Sequence, residues 1–413
     1  MRRSAGLVGA GISAVLVLLG LAQWYSAAHH YVGPLTSLAE DFTGNSSSAT
    51  MPWAGLALAL VGLPARRRFA VAGLAAAIDL AFFAVRGLHG ESYTLGTGPT
   101  LVLCGLVLYA ALRWRGYVRR TALHAAALGV LLILATKVGN TWLELTGELR
   151  PTVLDRYVVD ADRALGEPSW LMGRFFEATK PVVPAVLHWV YIELPVAAMV
   201  VAVWQLRNVA RDAWPRHYLV RTFLVLGLVG PLVYLLFPVV GPVYAFGSEG
   251  HGMQLGDFWP DVAPPTGGDP APMPFDPFTP RNCMPSMHTA WALTVFVHSR
   301  RGPWWLRGMG AFWLIGTVCA TLGFGYHYGC DLIVGATLCM TVESALREPE
   351  RGWDGDRARM VALGIGAFAV LLLSYRYLPV QLAHYPLLSG ALLLGLLAVV
   401  ARAFYLTWHK SPE

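Results

Sequence analysis

Apolar positions in this chain run together in long stretches separated by short charged segments, and crossing the hydrocarbon core of a bilayer takes about 20 such residues. The pattern predicts about twelve membrane-spanning helices: Ala5 to Trp24, Met51 to Ala65, Phe69 to Val85, Gly98 to Leu112, Thr121 to Gly139, Val183 to Leu206, Leu219 to Val240, Pro285 to Ser299, Gly308 to Tyr326, Gly329 to Leu346, Met360 to Tyr375, and Leu387 to Ala401. Two long segments interrupt them. Asn140 to Val182 contains Asp155-Arg156-Tyr157-Val158-Val159-Asp160 and the run Trp170 to Phe176, which reads as amphipathic helix at the interface. Gly241 to Met284 is rich in Pro, Gly and Asp and is expected to form an irregular cap. The first run follows Arg2 and Arg3 and ends near Ser26, Ala27 and Ala28, so a cleaved signal peptide is the alternative to a first span. The sequence carries no convincing internal repeat.

Composition agrees with a membrane protein. Of 413 residues, 55% are hydrophobic and only 14% charged, where a soluble domain carries about 25% charged residues. This excludes a soluble globular enzyme, a disordered chain and a nucleic-acid-binding module. The net charge of +6 matters less than its placement. Most of the 31 Lys and Arg residues fall in segments that lie inside if the N-terminus does, among them Arg66, Arg67, Arg68, Arg113, Arg120, Arg300, Arg301, Arg307, Arg347, Arg351 and Lys410. The bias places both termini inside and the long acidic loops outside. Arg in preference to Lys, with abundant Ala and Gly, points to a high-GC bacterial coding bias.

Isolated polar residues add less. Asn45-Ser46-Ser47 has the form of a glycosylation sequon and reads as a polar loop. His30, His89, His251 and His384 read as interfacial residues, and Trp304 with Trp305 as an interfacial belt. Asp79 and Glu193 fall mid-span, where an ionised carboxylate is expensive and a function is the default expectation. Cys104, Cys319 and Cys339 lie inside apolar runs, so no disulfide framework is expected, although Cys283 and Cys330 share the outer side and a bridge between them is conceivable.

The chemistry concentrates in Arg281-Asn282-Cys283-Met284-Pro285-Ser286-Met287-His288 and in Gly325-Tyr326-His327-Tyr328-Gly329-Cys330-Asp331. Between the two histidines lie one span going in, an Arg-rich turn at Arg300 to Arg307 and one span coming back, so both emerge at the same surface. Two imidazoles at one interface divide the work of displacement at phosphorus, one attacking and the other protonating the leaving oxygen. If Gly329 onward is helical, the spacing of four sets Asp331 on the face of His327, where a carboxylate fixes the ring tautomer. Pro285 and Ser286 open a span, and the free N–H groups of a helix start favour an anionic phosphoryl group. Two His and one Asp are also a metal donor set, though a sparse one with no further Cys or His plausibly within reach.

These residues carry a family resemblance. Pro285-Ser286-Met287-His288 resembles the P-S-x-H motif of the type-2 phosphatidic acid phosphatase superfamily, His327 to Asp331 the H-x3-D half of its last motif, and Phe237-Pro238-Val239-Val240-Gly241-Pro242 its weaker first motif. The resemblance covers about Thr121 to Arg347. It implies a six-helix catalytic core at 121–347, and the apolar runs outside it leave a four-span region at 1–120 and a two-span region at 348–413, together an all-α polytopic membrane protein of about twelve spans. It also implies His327 as the nucleophile forming a phosphohistidine, Asp331 orienting it, His288 as general acid and then base, and no metal or other cofactor.

The departures from the family pattern are cationic. The usual first motif supplies a Lys and an Arg where this chain has Tyr234 and Gly241, and the usual Ser-Arg ahead of the last His is Ala320 and Thr321. A phosphate monoester carries close to two charges near pH 7 and a phosphodiester one, so fewer cations favour a lipid phosphodiester, or head-group transfer, over monoester hydrolysis. The pattern resembles the branch of inositol phosphorylceramide synthases and sphingomyelin synthases. Arg281 is the first candidate for a substitute phosphoryl contact, with Ser286 and Tyr326 also assigned to substrate binding. Lys137, Lys180 and Arg376 read as anchors at outer span ends, and Asp155 and Asp160 as loop acids able to orient head groups. The expected partners are a lipid phosphate or phosphodiester, the bilayer and an acceptor, either water or an alcohol. A polytopic transporter or flippase using the histidines and membrane acids as a proton relay is the alternative from a different class.

Overall fold

The computed structural model describes residues 2–46, 48–248, 260–265, 267–347 and 352–409. Ser47, His251, Arg351 and Lys410, named above, lie outside the described residues. The chain is 75% helical. Its only regular strands among the described residues are Thr152–Val153 and Met273–Pro274, paired antiparallel with Thr152 opposite Pro274.

Every apolar run read from the sequence is helical, but fewer than twelve helices have the length and apolarity of a span. Among the described residues seven qualify: Ala65–Leu88, Gly116–Leu149, Leu219–Leu236, Trp304–Gly323, Gly329–Leu346, Gly355–Tyr377 and Pro386–Trp408. An eighth is the pair Val182–Ile192 and Leu194–Leu206, bent by 51°. Pro195 explains the bend, because its ring clashes with the carbonyl four residues back and offers no N–H. Thr50–Val61 and Met287–Ser299 have 12 and 13 residues, a rise of only about 18–20 Å. Pro and Gly punctuation shortens both. Thr97–Arg113 stops at 17 residues, and the first run lies in the helix Arg2–Ala28.

The chain forms two compact units, residues 1–142 with 202–215, and residues 143–201 with 216–413. The first unit is built on the helices Thr50–Val61, Ala65–Leu88 and Thr97–Arg113 and the first part of Gly116–Leu149. Leu63, Leu103, Ala110, Ala122 and Ile133 fill its core. Two of its buried charges, Asp79 and Lys137, find partners within it. Asp79 accepts from Trp53 Nε1 (3.1 Å), Tyr93 Oη (2.7 Å), Gly96 N (3.2 Å) and Gly98 N (2.7 Å), so its carboxylate holds the loop against the helix start and is not poised for proton relay. Lys137, expected to be an interfacial anchor, is instead buried and pairs with Asp41 at 2.8 Å while donating to Ser37. A lysine this deep needs an acid more than it needs head groups.

The second unit is organised around Gly329–Leu346, the most enclosed of the spans, with 83% of its apolar window buried. The helices Leu219–Leu236, Met287–Ser299, Gly355–Tyr377 and Pro386–His409 pack on it. The two C-terminal helices, set apart from the six-span core by the sequence reading, thus cover its central helix. Gly335 permits one close approach, since a Cβ there would meet Ser286 O at 2.3 Å. The Asp155–Asp162 helix, expected at the interface, is buried: Val158, Val159 and Ala161 pack with Val239, Ile333, Leu371 and Tyr375. Apolar residues on both its faces favour the core over a membrane surface.

Candidate active site

Two helix starts bring the two histidine motifs together. Ser286 is the N-cap of Met287–Ser299, its hydroxyl accepting from Thr289 N at 3.3 Å, and His288 follows in the first turn. Ser286 N in turn donates to Asp331 O at 3.2 Å, fastening this start to that of Gly329–Leu346. His327 sits in the turn before that second helix. Its backbone N–H donates to Thr321 O at 3.2 Å, and its carbonyl accepts from Ser169 Oγ. Asp331 accepts from Tyr328 N at 2.8 Å as part of a capping box. The motif segments are therefore held through their backbone groups, which fixes where their side chains start.

The imidazoles of His288 and His327 have centroids 6.5 Å apart. His327 Nδ1 lies 3.4 Å from Asp331 Oδ2, the contact anticipated from the spacing of four. Cys283 adds a third member: its S–H donates to Asp331 Oδ2, with Sγ 2.5 Å from that oxygen, 3.3 Å from Tyr326 O and 3.5 Å from His327 Nδ1. Asp331 Oδ1 has no hydrogen-bond partner among the described residues. On the other side, Tyr191 stacks on His288 at 4.0 Å with its hydroxyl 3.2 Å from Nδ1, and Trp291 lies edge-on at 6.1 Å. With both Nδ1 atoms so engaged, each Nε2 is left for chemistry. Burial pulls the His327 imidazole down to about 4, so the ring is neutral at pH 7, the form in which it can attack.

A layer of carboxylates supports the motifs from the Asp155–Asp162 helix. Asp155 accepts from Val240 N (3.1 Å), Gly241 N (3.0 Å) and Tyr328 Oη (2.8 Å), clamping the first motif to the last. Asp162 accepts from Cys330 N at 2.9 Å. Burial pushes each up to about 7. Asp155, read from the sequence as a loop acid for head groups, is thus committed to backbone amides, and Asp160 pairs with Arg163 at 2.9 Å.

Arg281 is placed differently from the other assigned residues. It is fully buried, and its guanidinium donates to the carbonyls of Arg150 (3.0 Å), Asp276 (2.7 Å), Gly147 (3.4 Å) and Thr279, with Phe275 beneath it. Four donors spent on carbonyls make it the tether of the loop ahead of Cys283, not the phosphoryl contact expected. Tyr326 packs among Tyr191, Tyr244 and Phe324 in an aromatic cluster beside His288. Arg376 lies over Tyr157 at 4.1 Å, and Glu193 marks the break of the bent pair. The hydrogen-bonding and ring partners of the two imidazoles, among the described residues, include no cation.

The positions that would carry the family's cations have structural occupations. Gly241 has φ +106°, and a Cβ would lie 2.4 Å from Tyr326 O, so no side chain fits. Tyr234 is buried against Met287 and Ala290. Ala320 and Thr321 are buried, and the Thr321 carbonyl holds Tyr326 N and His327 N. Cys283 and Cys330 are both free thiols, because Cys283 faces Asp331 and the conceivable bridge does not form.

Sequence reasoning gave Tyr191 no role and did not place Cys283 beside His327. Asp162 carried one available signal, its seven-residue spacing from Asp155, two helical turns that align carboxylates on one face. Among the described residues two groups of donors could hold a metal ion, each with ligand atoms within 4.8 Å of one another: Cys283, His327 and Asp331 in the site, and His217, His298 and Glu343 elsewhere in the same unit.

Comparison with known families agrees with the geometry. Residues 156–344 match the family model of the PAP2 superfamily, a phosphatase-type superfamily, and residues 7–145 match that of a domain of unknown function. No curated protein and no solved structure matches the chain. With its series of apolar helices, the chain is an integral, multi-pass membrane protein, and one segment of it, 156–344, is similar to the PAP2 superfamily.

Proposed function

We propose that this chain is a lipid phosphotransferase or phosphatase acting through a phosphohistidine on His327 at the outer face of the membrane, with transfer between lipid and alcohol favoured over hydrolysis. The observation that carries the reading is the pairing of His288 and His327, ring centroids 6.5 Å apart, with Asp331 Oδ2 behind His327 Nδ1. In the first step His327 Nε2 attacks phosphorus, the bond to the leaving oxygen breaks, and His288 gives that oxygen its proton. In the second step His288 takes the proton of the acceptor O–H as the oxygen displaces His327. Asp331 stabilises the imidazolium character of His327 throughout.

Preference for a phosphodiester rests on charge. Gly241, Tyr234, Ala320 and Thr321 stand where four motif positions would bear or accompany cations, and a singly charged diester asks for fewer. This likens the chain to inositol phosphorylceramide and sphingomyelin synthases. The outer face is supported by the hairpin itself: the histidines lie at one end of Met287–Ser299 and Trp304–Gly323, and Arg300, Arg301 and Arg307 at the other.

The test is incubation of the full chain in lipid nanodiscs with a panel of lipid monoesters and diesters, with and without alcohols, followed by trapping of an alkali-stable, acid-labile phosphoenzyme. Turnover of diesters that His327→Ala abolishes, with the label on His327, is expected. Rapid phosphatidic acid hydrolysis with no diester turnover would overturn the transferase preference. Full turnover in His327→Ala would overturn the mechanism.

A further inference from the structure

A second cluster of chemistry-bearing side chains lies away from the catalytic histidines. Glu343 is fully buried near the C-terminal end of Gly329–Leu346. His298 closes Met287–Ser299 and is 5% exposed. His217 precedes the helix Leu219–Leu236, its side chain 13% exposed. His217 Nε2 lies 2.7 Å from Glu343 Oε1 and His298 Nε2 3.2 Å from Oε2, the ring centroids are 5.1 Å apart, and Thr222 donates to Oε2 at 2.6 Å. Along their helices, His298 is ten residues from His288 and Glu343 twelve from Asp331, separations of roughly 15 and 18 Å. The cluster is therefore not part of the phosphoryl site.

We propose that His217, His298 and Glu343 form a binding site for a borderline divalent transition-metal ion of the Zn²⁺ or Co²⁺ type, clasping three helices of the catalytic unit. The donor chemistry is that of two imidazoles and one carboxylate, a set suited to such ions. The geometry is nearly formed. Around an ion with bonds of about 2.0–2.1 Å in tetrahedral array, ligand atoms stand about 3.3 Å apart, against 2.7 and 3.2 Å for the two His–Glu contacts and 4.8 Å as the outer limit for the group. Small side-chain rotations accommodate that difference. Charge argues the same way. A carboxylate buried among apolar helices requires a cation, and the side chains that bond to Glu343 among the described residues are two imidazoles and a hydroxyl, whose neutral forms supply none. A divalent ion neutralises it while leaving both imidazoles in the ligating form. The fourth position is left to water or to Thr222.

The role is structural. The ion would pin the start of Leu219–Leu236 to the far ends of the helices that carry His288 and Asp331. The competing arrangement is a protonated histidine in place of the metal, and the experiment separates the two. Tag-free full chain in detergent is stripped with chelator, reloaded with Co²⁺ or Zn²⁺, and measured for metal content, Co²⁺ ligand-field absorption and thermal unfolding midpoint. Expected are one ion per chain, the intense visible bands of four-coordinate Co²⁺ and a rise in midpoint on loading, all lost in Glu343→Gln and in His217→Ala, whose partly exposed position favours an intact fold. Cys283→Ala should leave them unchanged. Failure to retain an ion, bands that survive His217→Ala, or bands lost in Cys283→Ala, would each overturn the proposal.

Discussion

Gly241→Ala tests whether the backbone around the first motif sets the position of His327. Gly241 has φ +106°, a region essentially reserved for glycine, where another residue costs about 1–3 kcal/mol. The added Cβ would stand 2.4 Å from Tyr326 O and 2.9 Å from Tyr326 C, where real contacts start at 3.0 Å, so the Tyr326-His327 segment must retreat by about 0.6 Å. Two bonds resist that retreat: Val243 N to Gly325 O at 2.9 Å and Gly241 N to Asp155 at 3.0 Å. Misplacing a reacting group by 1 Å costs about 100-fold in rate, so a shift of this size should lower kcat about tenfold with KM little changed. The same strain should lower the unfolding midpoint by about 2–12 °C, taking about 2–4 °C per kcal/mol for a domain of this size. The assay is turnover of the best substrate found in the panel, in nanodiscs, beside tryptophan fluorescence during heating. Gly366→Ala, in a helix with open space at its Cβ, serves as control and should match the parent. A Gly241→Ala protein with parental kcat and midpoint would refute the claim that this glycine spaces the two motifs.

Other consequences follow from the same geometry. Asp331→Asn should leave the fold intact and reduce kcat by about 10²–10⁴, because the acceptor behind His327 Nδ1 is what fixes its tautomer; a smaller loss in single-turnover kinetics would mean Cys283 suffices for that task. Tyr191→Phe keeps the stack on His288 but removes the hydroxyl 3.2 Å from Nδ1, and should cost about tenfold in kcat, ~1.4 kcal/mol, with a displaced pH profile. Since His327 attacks as the neutral ring and burial holds it down to about 4, the acidic limb of kcat/KM should lie at about pH 4, with no His327 limb near pH 6.5. Asp155, at about 7 when folded against about 3.9 in an unfolded chain, binds more protons folded between those values. Its contribution to stability is thus full below about pH 4 and lost as pH rises through 7, so the unfolding midpoint of Asp155→Asn should vary less over that interval than the parent's.

Local pattern alone settled the membrane class, the helical character of each apolar run and the spacing of His288, His327 and Asp331. These depend on continuous hydrophobicity and on helical periodicity, both written into consecutive residues. Two helix starts on one side of an Arg-rich turn already imply that the histidines share an end of the hairpin. Pairing across the fold had no such signature. Cys283 beside Asp331, Tyr191 against His288, Asp155 reaching Gly241, and His217 with His298 on Glu343 join residues separated by 45 to 126 positions, and only packing decides which distant side chains meet. The same is true of Arg281, Lys137 and Asp79, which looked like membrane-facing or functional charges. Burial found each an internal partner, because a charge removed from water must be satisfied by whatever the fold brings to it.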